Sequence, residues 1–308
     1  MLGKPLAKFY DLRGFKVLEF QSNFWTPFRP KSRFLMTFPE NAIVTADGGE
    51  IAEFLARSGS WAARYPTSRN QGSEGGYYVF RQKSFGLDGL GRNMKRSVQK
   101  GLERCRIGRL DPSELRVAGL EINQQTMIRQ QRNEPEFSDP VRWGRFLEAA
   151  AKVPEIQLTG AWIDGKLAAY AVNCRDASWT YGLYQFSRTE NLKDSVNQAL
   201  DFHLLQEAAQ DPSVVGLTNG PLPVRPAEGL HLYKTRMGYE VESHRVAIRF
   251  RDPLHKLVAS NGVTQLCDWI NERWCHEKLA YFSQILATAH GETSPLSTAG
   301  SLVAQPPH

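Results

Sequence analysis

The sequence predicts a mixed α/β (α+β) fold in which a mostly antiparallel sheet is flanked by helices, and three observations within residues 157–250 carry that expectation. First, two short apolar runs, 158–163 and 167–174, are separated by Asp164-Gly165, a dipeptide suited to a tight hairpin turn, and the run 179–186 extends the hairpin to a three-stranded meander. Second, the period then changes. Val196, Ala199, Leu200, His203, Leu204 and Ala208 recur at the spacing of an amphipathic helix within 192–210. Third, a strand at 214–218, a short helix at 227–237 and two strands at 239–242 and 245–250 close the unit as a hairpin.

The elements before this unit follow in order. Residues 15–20, 33–38 and 61–65 read as strands and 50–58 as a helix, punctuated by Pro27, Pro30, Pro39 and Pro66. Gln71 to Gly76 reads as a hinge or surface loop, and 77–83 as a strand. The turn GLDGLG at 86–91 opens a helix over 92–104 with Asp88 as its N-cap; Leu90, Met94, Val98 and Leu102 line one side and Arg92, Arg96, Lys100 and Arg104 the other. That turn either aims backbone N–H groups at a phosphate or simply caps a helix. Four like charges along one line repel unless an anion is near, so Arg92, Arg96 and Lys100 are candidate contacts for phosphate or an acidic substrate. A strand at 106–110 precedes helices at 112–131 and 139–152, each with an Asp-Pro start signal. The polar loop between them carries Glu134 and Glu136, either solvated acids or contacts for an amine. After Asp252-Pro253, helices are expected at 255–258 and 264–288, with an apolar face that must pack on the core or form a homodimer; 291–308 reads as a disordered tail.

Composition narrows the class. A chain of 308 residues with 41% hydrophobic and 23% charged residues is globular. No apolar run approaches the ~20 residues needed to span a bilayer, and the first residues lack the continuous apolar region of a secretory signal. Integral membrane association is therefore not expected. The four cysteines, Cys105, Cys174, Cys267 and Cys275, are scattered as in a reduced cytoplasmic protein; with no close pair beside Cys267, Cys275 and His276, no metal is expected. A net charge of +6 suits a phosphate-bearing ligand rather than a dedicated nucleic-acid binder.

Three antiparallel strands, a helix, a strand, a helix and a hairpin form the order of the GNAT superfamily acyltransferase core, which residues 76–250 resemble. The segment HLYKTRMGYE at 231–240 is similar to the L-x-x-F-K-x-x-F-G closing segment of the FemAB-like branch, and the basic helix 92–104 is a second likeness to that branch. The resemblance implies a degenerate GNAT-like segment at 1–75, a GNAT-like core at 76–252, a helical extension at 253–290 and the tail beyond.

It also implies a chemistry. In a GNAT-like core an acyl-CoA co-substrate wedges where the fourth strand leaves the fifth, its amides borrowing the backbone of Thr180, Tyr181, Gly182, Leu183 and Tyr184. The pyrophosphate then meets the start of the following helix. The superfamily's Gln/Arg-x-x-Gly-x-Gly/Ala is replaced here by RTENLKDS: Arg188 holds the Gln/Arg position, whereas Asn191 and Lys193 stand where glycines belong. Arg188 and Lys193 would then neutralise phosphate by side chain. FemAB-like members with similar loss use aminoacyl-tRNA, so tRNA is the alternative donor carrier. For the transfer step the resemblance points to Lys234 as a cation and Tyr233 as a hydroxyl, with Asn219 orienting the acceptor and Glu228 or His231 as base. The expected function is acyl transfer from acyl-CoA to a small-molecule amine. Its rivals are aminoacyl-tRNA-dependent transfer, a non-catalytic scaffold that binds a ligand or partner, and attachment to a membrane surface through the basic helix.

Overall fold

The protein is described by a computed structural model covering residues 1–29, 31–223 and 228–252. Contacts divide the described residues into two units: 1–32, 37–42 and 76–242 hold the first, and 33–36, 43–75 and 243–252 the second.

In chain order, α1 (Lys4–Leu12) is followed by the hairpin of β1 (Leu18–Phe20) and β2 (Asn23–Pro27), in which Leu18 faces Trp25. Next come β3 (Phe34–Phe38), α2 (Gly48–Ser58) and β4 (Ala62–Thr67), then β5 (Ser73–Phe80) and α3 (Arg92–Arg104). Strand β6 (Arg106–Arg109) leads to α4 (Leu115–Arg129), α5 (Pro135–Ser138) and α6 (Pro140–Lys152). The meander is β7 (Ile156–Ile163), β8 (Lys166–Asp176) and β9 (Trp179–Ser187). Helix α7 (Val196–Gln210) crosses to β10 (Gly216–Pro221), and α8 (Glu228–Arg236) precedes β11 (Glu240–Phe250).

In the first unit the strands run β5-β10-β9-β8-β7-β6, antiparallel except for β9 against β10. That one parallel pair requires a crossover, which α7 supplies. The β7–β8 turn is built as its Asp-Gly demands, with φ of 49° at Asp164 and 75° at Gly165. One face of the sheet is covered by α1, α4 and α6 through Phe9, Trp143, Phe146, Tyr170 and Phe186. The other carries α7, with Val196 and Leu200 on Ala161 and Ala169, and a cluster of Tyr78, Phe202, Leu205, Leu217 and Met237. Each fully buried Leu or Phe here contributes ~1.5–3 kcal/mol. Helix α3 docks on α7 through Gly101, where a Cβ would lie 2.5 Å from the Ser195 carbonyl oxygen and 2.7 Å from the Ala199 Cβ. Only glycine permits that approach.

In the second unit β4 pairs in parallel with β3 and antiparallel with β11. Helix α2 starts at a capping box, with Asp47 and Glu50 each accepting from the other's backbone N–H, and ends at Gly59 with φ of 72°.

Several expectations are corrected. Helix α1 and strand β2 were not read from the sequence; α1 is short, and its buried residues are only Leu6, Ala7 and Phe9. Asp88 does not cap α3, whose N-cap is Gly91; its carboxylate pairs instead with Lys95 at 2.6 Å. The loop 129–139 contains α5, and the expected closing hairpin is one continuous strand, β11. Helix α7 begins at Val196, after a 3-10 turn at Leu192–Asp194. The helices expected at 255–258 and 264–288, the dimer face, Cys267, Cys275, His276 and the tail lie outside the described residues. Among the described residues no helix is long and apolar enough to cross a membrane.

Candidate active site at the β9–β10 divergence

Parallel pairing of β9 with β10 covers only Trp179, Thr180 and Tyr181 against Gly216, Leu217 and Thr218. Both strands continue, but the ladder ends there. Opposite β8, Asn173 pairs with Gly182 and Val172 with Tyr184, which leaves Leu183 as an extra residue. This is a bulge, and bulges bend a strand and end its pairing. The register of β10 against β5 shifts between Thr218 and Pro221, with Gly220 at φ of 79°. Of the five residues named as the donor strand, Gly182, Leu183 and Tyr184 therefore lie past the last β10 pair, while Thr180 and Tyr181 lie within the ladder.

A buried polar cluster lies on the α7 side of this divergence. Lys234 of α8 is 6% exposed, and its Nζ stands 4.7 Å from the centre of the Tyr239 ring. Asp201 of α7 is 3% exposed; Tyr233 donates its hydroxyl to Asp201 Oδ2, while Oδ1 has no hydrogen-bond partner among the described residues. Asn219 of β10 donates to the Tyr239 hydroxyl at 3.1 Å, and its amide lies against Gly182, where a Cβ would approach Nδ2 to 3.2 Å. Loss of solvent pushes the Lys234 ammonium down and the Asp201 carboxyl up, and their mutual attraction opposes both shifts. Burial, then the Asp201 charge, raises the Tyr233 hydroxyl well above its usual range, so it stays a donor. The sequence periods explain the convergence. Asp201 is an acid among Ala199, Leu200 and Phe202 on a helix packed to the sheet, and Lys234 is the buried residue of α8.

The opposite face of β10 carries a second acid. Glu40 accepts from Thr218 Oγ1 at 2.6 Å and from the Gly220 N–H at 3.2 Å, and burial raises its carboxyl pKa. Beside it, Asn41 Oδ1 accepts the Tyr181 hydroxyl at 3.2 Å.

Three of the catalytic candidates, Tyr233, Lys234 and Asn219, thus meet in one cluster. Glu228 and His231 do not join it: both are exposed on α8, and His231 Nδ1 lies 3.3 Å from the Tyr78 hydroxyl. Arg188 is bound within the fold, its guanidinium held by both Glu121 oxygens and its Nε donating to the Leu167 carbonyl at 2.9 Å. Asn191 precedes the 3-10 turn, and the Lys193 carbonyl accepts Lys100 Nζ at 2.7 Å. Arg92 and Arg96 are exposed on α3 with no partner among the described residues. Glu136 is taken by Arg13, and Glu134 by Arg132. Asp201, Tyr239 and Glu40 were not singled out from sequence. Asp201 lies beside the stripe read for α7 rather than on it, between Leu200 and Phe202, so the period did not mark it; nothing local marked Glu40, which arrives from a distant segment. No group of three or more His, Cys, Asp or Glu side chains able to hold a metal occurs among the described residues.

No family model matches the chain, and no curated protein matches it by sequence. Solved structures do. The chain is similar to FemX, with a TM-score of 0.55 at 11% identity over 82% of this chain and 93% of that one. The C-terminal domain of a putative lysylphosphatidylglycerol synthetase from Agrobacterium fabrum gives 0.53 at 12% identity, over 79% and 86%. L-PGS from Bacillus licheniformis gives 0.53 at 9%, over 90% and 91%. The chain has the GNAT-like fold in its FemAB-like form, a mixed α/β architecture with a large, mostly antiparallel sheet.

Proposed function

We propose that this protein is a GNAT-type transferase that moves an acyl or aminoacyl group from an activated ester to an amine. The observation that carries the reading is the Asp201–Tyr233–Lys234 cluster, buried beside the end of the β9–β10 ladder. The backbone of Gly182 to Tyr184, which has no β10 ladder partner, receives the donor's amide groups. The amine nitrogen attacks the acyl carbon, its proton passes to the unpartnered Oδ1 of Asp201, and the bond from that carbon to the carrier's sulfur or oxygen breaks as the carrier takes up a proton. Lys234 supplies a desolvated positive charge for the oxyanion, a place where such charge acts far more strongly than in water. Asn219 orients the reacting groups from β10.

Acyl-CoA is one donor of this class and aminoacyl-tRNA the other. Two observations favour the second: Arg188 is already saturated, and Arg92 and Arg96 have no partner among the described residues on α3, which docks at the start of α7. One of the similar structures is also named as a domain of a putative lysylphosphatidylglycerol synthetase. Titrating the protein with acetyl-CoA, longer acyl-CoA thioesters and aminoacyl-tRNA, while following the unfolding midpoint, separates these readings. A response to tRNA that falls steeply with salt and weakens in Arg92→Gln/Arg96→Gln supports the tRNA donor. A response to a thioester alone, unchanged in that variant, assigns coenzyme A. No response to either overturns the transferase reading.

A further inference from the structure

Helix α8 ends in a way that ties its Lys234 to the residue just beyond the helix. The Gly238 N–H donates to the Thr235 carbonyl and the Tyr239 N–H to the Lys234 carbonyl, each at 3.1 Å, and Gly238 stands at φ of 94°. These two bonds and the left-handed glycine make a Schellman motif, in which the residue after the glycine folds back over the last turn. Apolar side chains commonly meet at that point. Here the pair is Tyr239 and Lys234, and the contact is an ammonium 4.7 Å from the ring centre.

Tyr239 has little freedom. It is 4% exposed, and its ring meets Phe80 edge-on, with 6.3 Å between centres. Its hydroxyl accepts from Asn219 Nδ2 at 3.1 Å, on the strand whose pairing with β9 ends at Thr218. One side chain therefore reaches two groups: the ring face attracts the Lys234 cation, and the hydroxyl fixes the Asn219 amide, which lies against Gly182. Lys234 makes no hydrogen bond among the described residues that could take the place of the ring. Burial, then the Asp201 charge, raises the Tyr239 hydroxyl above its usual range, so the ring stays neutral beside that carboxylate.

We propose that Tyr239 is a positioning residue of the candidate site, holding the Lys234 cation with its ring face and the Asn219 amide with its hydroxyl, so that one phenol sets where the two stand relative to each other. Its part in transfer rests on the transferase reading above. The placement itself is tested without any donor.

The test follows Lys234 and the Asn219 side-chain amide by NMR in the full chain with isotope-labelled lysine and asparagine, each signal assigned by its absence from Lys234→Met or Asn219→Ala. Tyr239→Phe keeps the ring, so the Lys234 titration should stay in place. It frees Asn219, whose amide should exchange with solvent roughly two- to tenfold faster, the loss of one neutral hydrogen bond. Tyr239→Leu has no ring face, so the ammonium loses an attraction and its titration should move to lower pH. An unchanged titration in Tyr239→Leu overturns the proposal. So does an upward shift, which would leave Tyr239 only the task of keeping water out, or an equal shift in Tyr239→Phe. Unchanged Asn219 exchange in Tyr239→Phe overturns it whether or not the leucine variant folds. A protein that binds no donor loses the transferase reading, while these shifts decide the placement of Lys234 and Asn219 on their own.

Discussion

Two buried cation–acid clusters flank β9, and they differ in how the cation is held. On the α1 and α6 side, Arg13 has a side chain only 1% exposed. It pairs with Glu136 through two nitrogens, donates to the Tyr184 hydroxyl at 3.1 Å and lies within 4.7–5.5 Å of five aromatic rings, while its Nη1 is buried without a hydrogen-bond partner among the described residues. On the α7 side, Lys234 has the Tyr239 ring and the field of Asp201 but no hydrogen bond among the described residues, and Asp201 keeps one oxygen bare. Residues 184 and 185 of one strand serve the two sides, Tyr184 reaching Arg13 and Gln185 approaching Asp201. The Arg13 cation is thus tied by hydrogen bonds to two elements, whereas the Lys234 cation rests on a ring and a field alone, which makes it the better candidate for a functional group.

The comparison breaks first at Arg13. Arg13→Ala strands Glu136 and empties the ring cage, and should cost about 3–5 kcal/mol of stability in urea unfolding. A loss no larger than that of an exposed arginine would show that the cage does not hold α1. Next, Lys234→Met with Asp201→Asn replaces a buried ion pair by groups without charge. It should leave the urea midpoint unchanged or raised while transfer falls by about a hundred- to a thousandfold. If that double variant is instead as unstable as Arg13→Ala, both clusters are structural. A smaller change, Tyr233→Phe, removes the donor to Asp201 Oδ2 and should cost about 1–3 kcal/mol, read in the same unfolding series.

The smallest effect is a pH dependence at Glu40. Its folded pKa is raised by burial, so the stability linked to its protonation is full below the unfolded value and is lost as pH rises through the folded one. Glu40→Gln keeps an oxygen to accept from Thr218 and Gly220 but carries no charge. Its midpoint relative to the parent protein should be flat at low pH, move in the variant's favour as pH rises from the unfolded to the folded pKa, and level off above it. A difference that stays constant between acid and neutral pH would remove Glu40 from the titrating groups.

Where a local rule was sufficient, the sequence was legible. Asp164-Gly165 set the β7–β8 turn, the stripe from Val196 to Ala208 set α7, and the 231–240 segment placed Tyr233 and Lys234 on α8. Local patterns failed where the chain's own neighbours do not decide. Asp88 has the chemistry of a cap, yet Lys95 took it, and Arg188 has the chemistry of a phosphate ligand, yet Glu121 from α4 claims it.

By itself, then, the amino-acid order determined the periods, the turns and which side chains carry charge, because these depend on residues a few positions apart. Tertiary structure alone decided which charges meet. Asp201 and Lys234 are brought together by α7 and α8 packing against one sheet, Glu40 reaches β10 from the first fifty residues, and Leu183 becomes a bulge only opposite β8. Such pairings are set by long-range burial of apolar surface, which no short window of sequence contains.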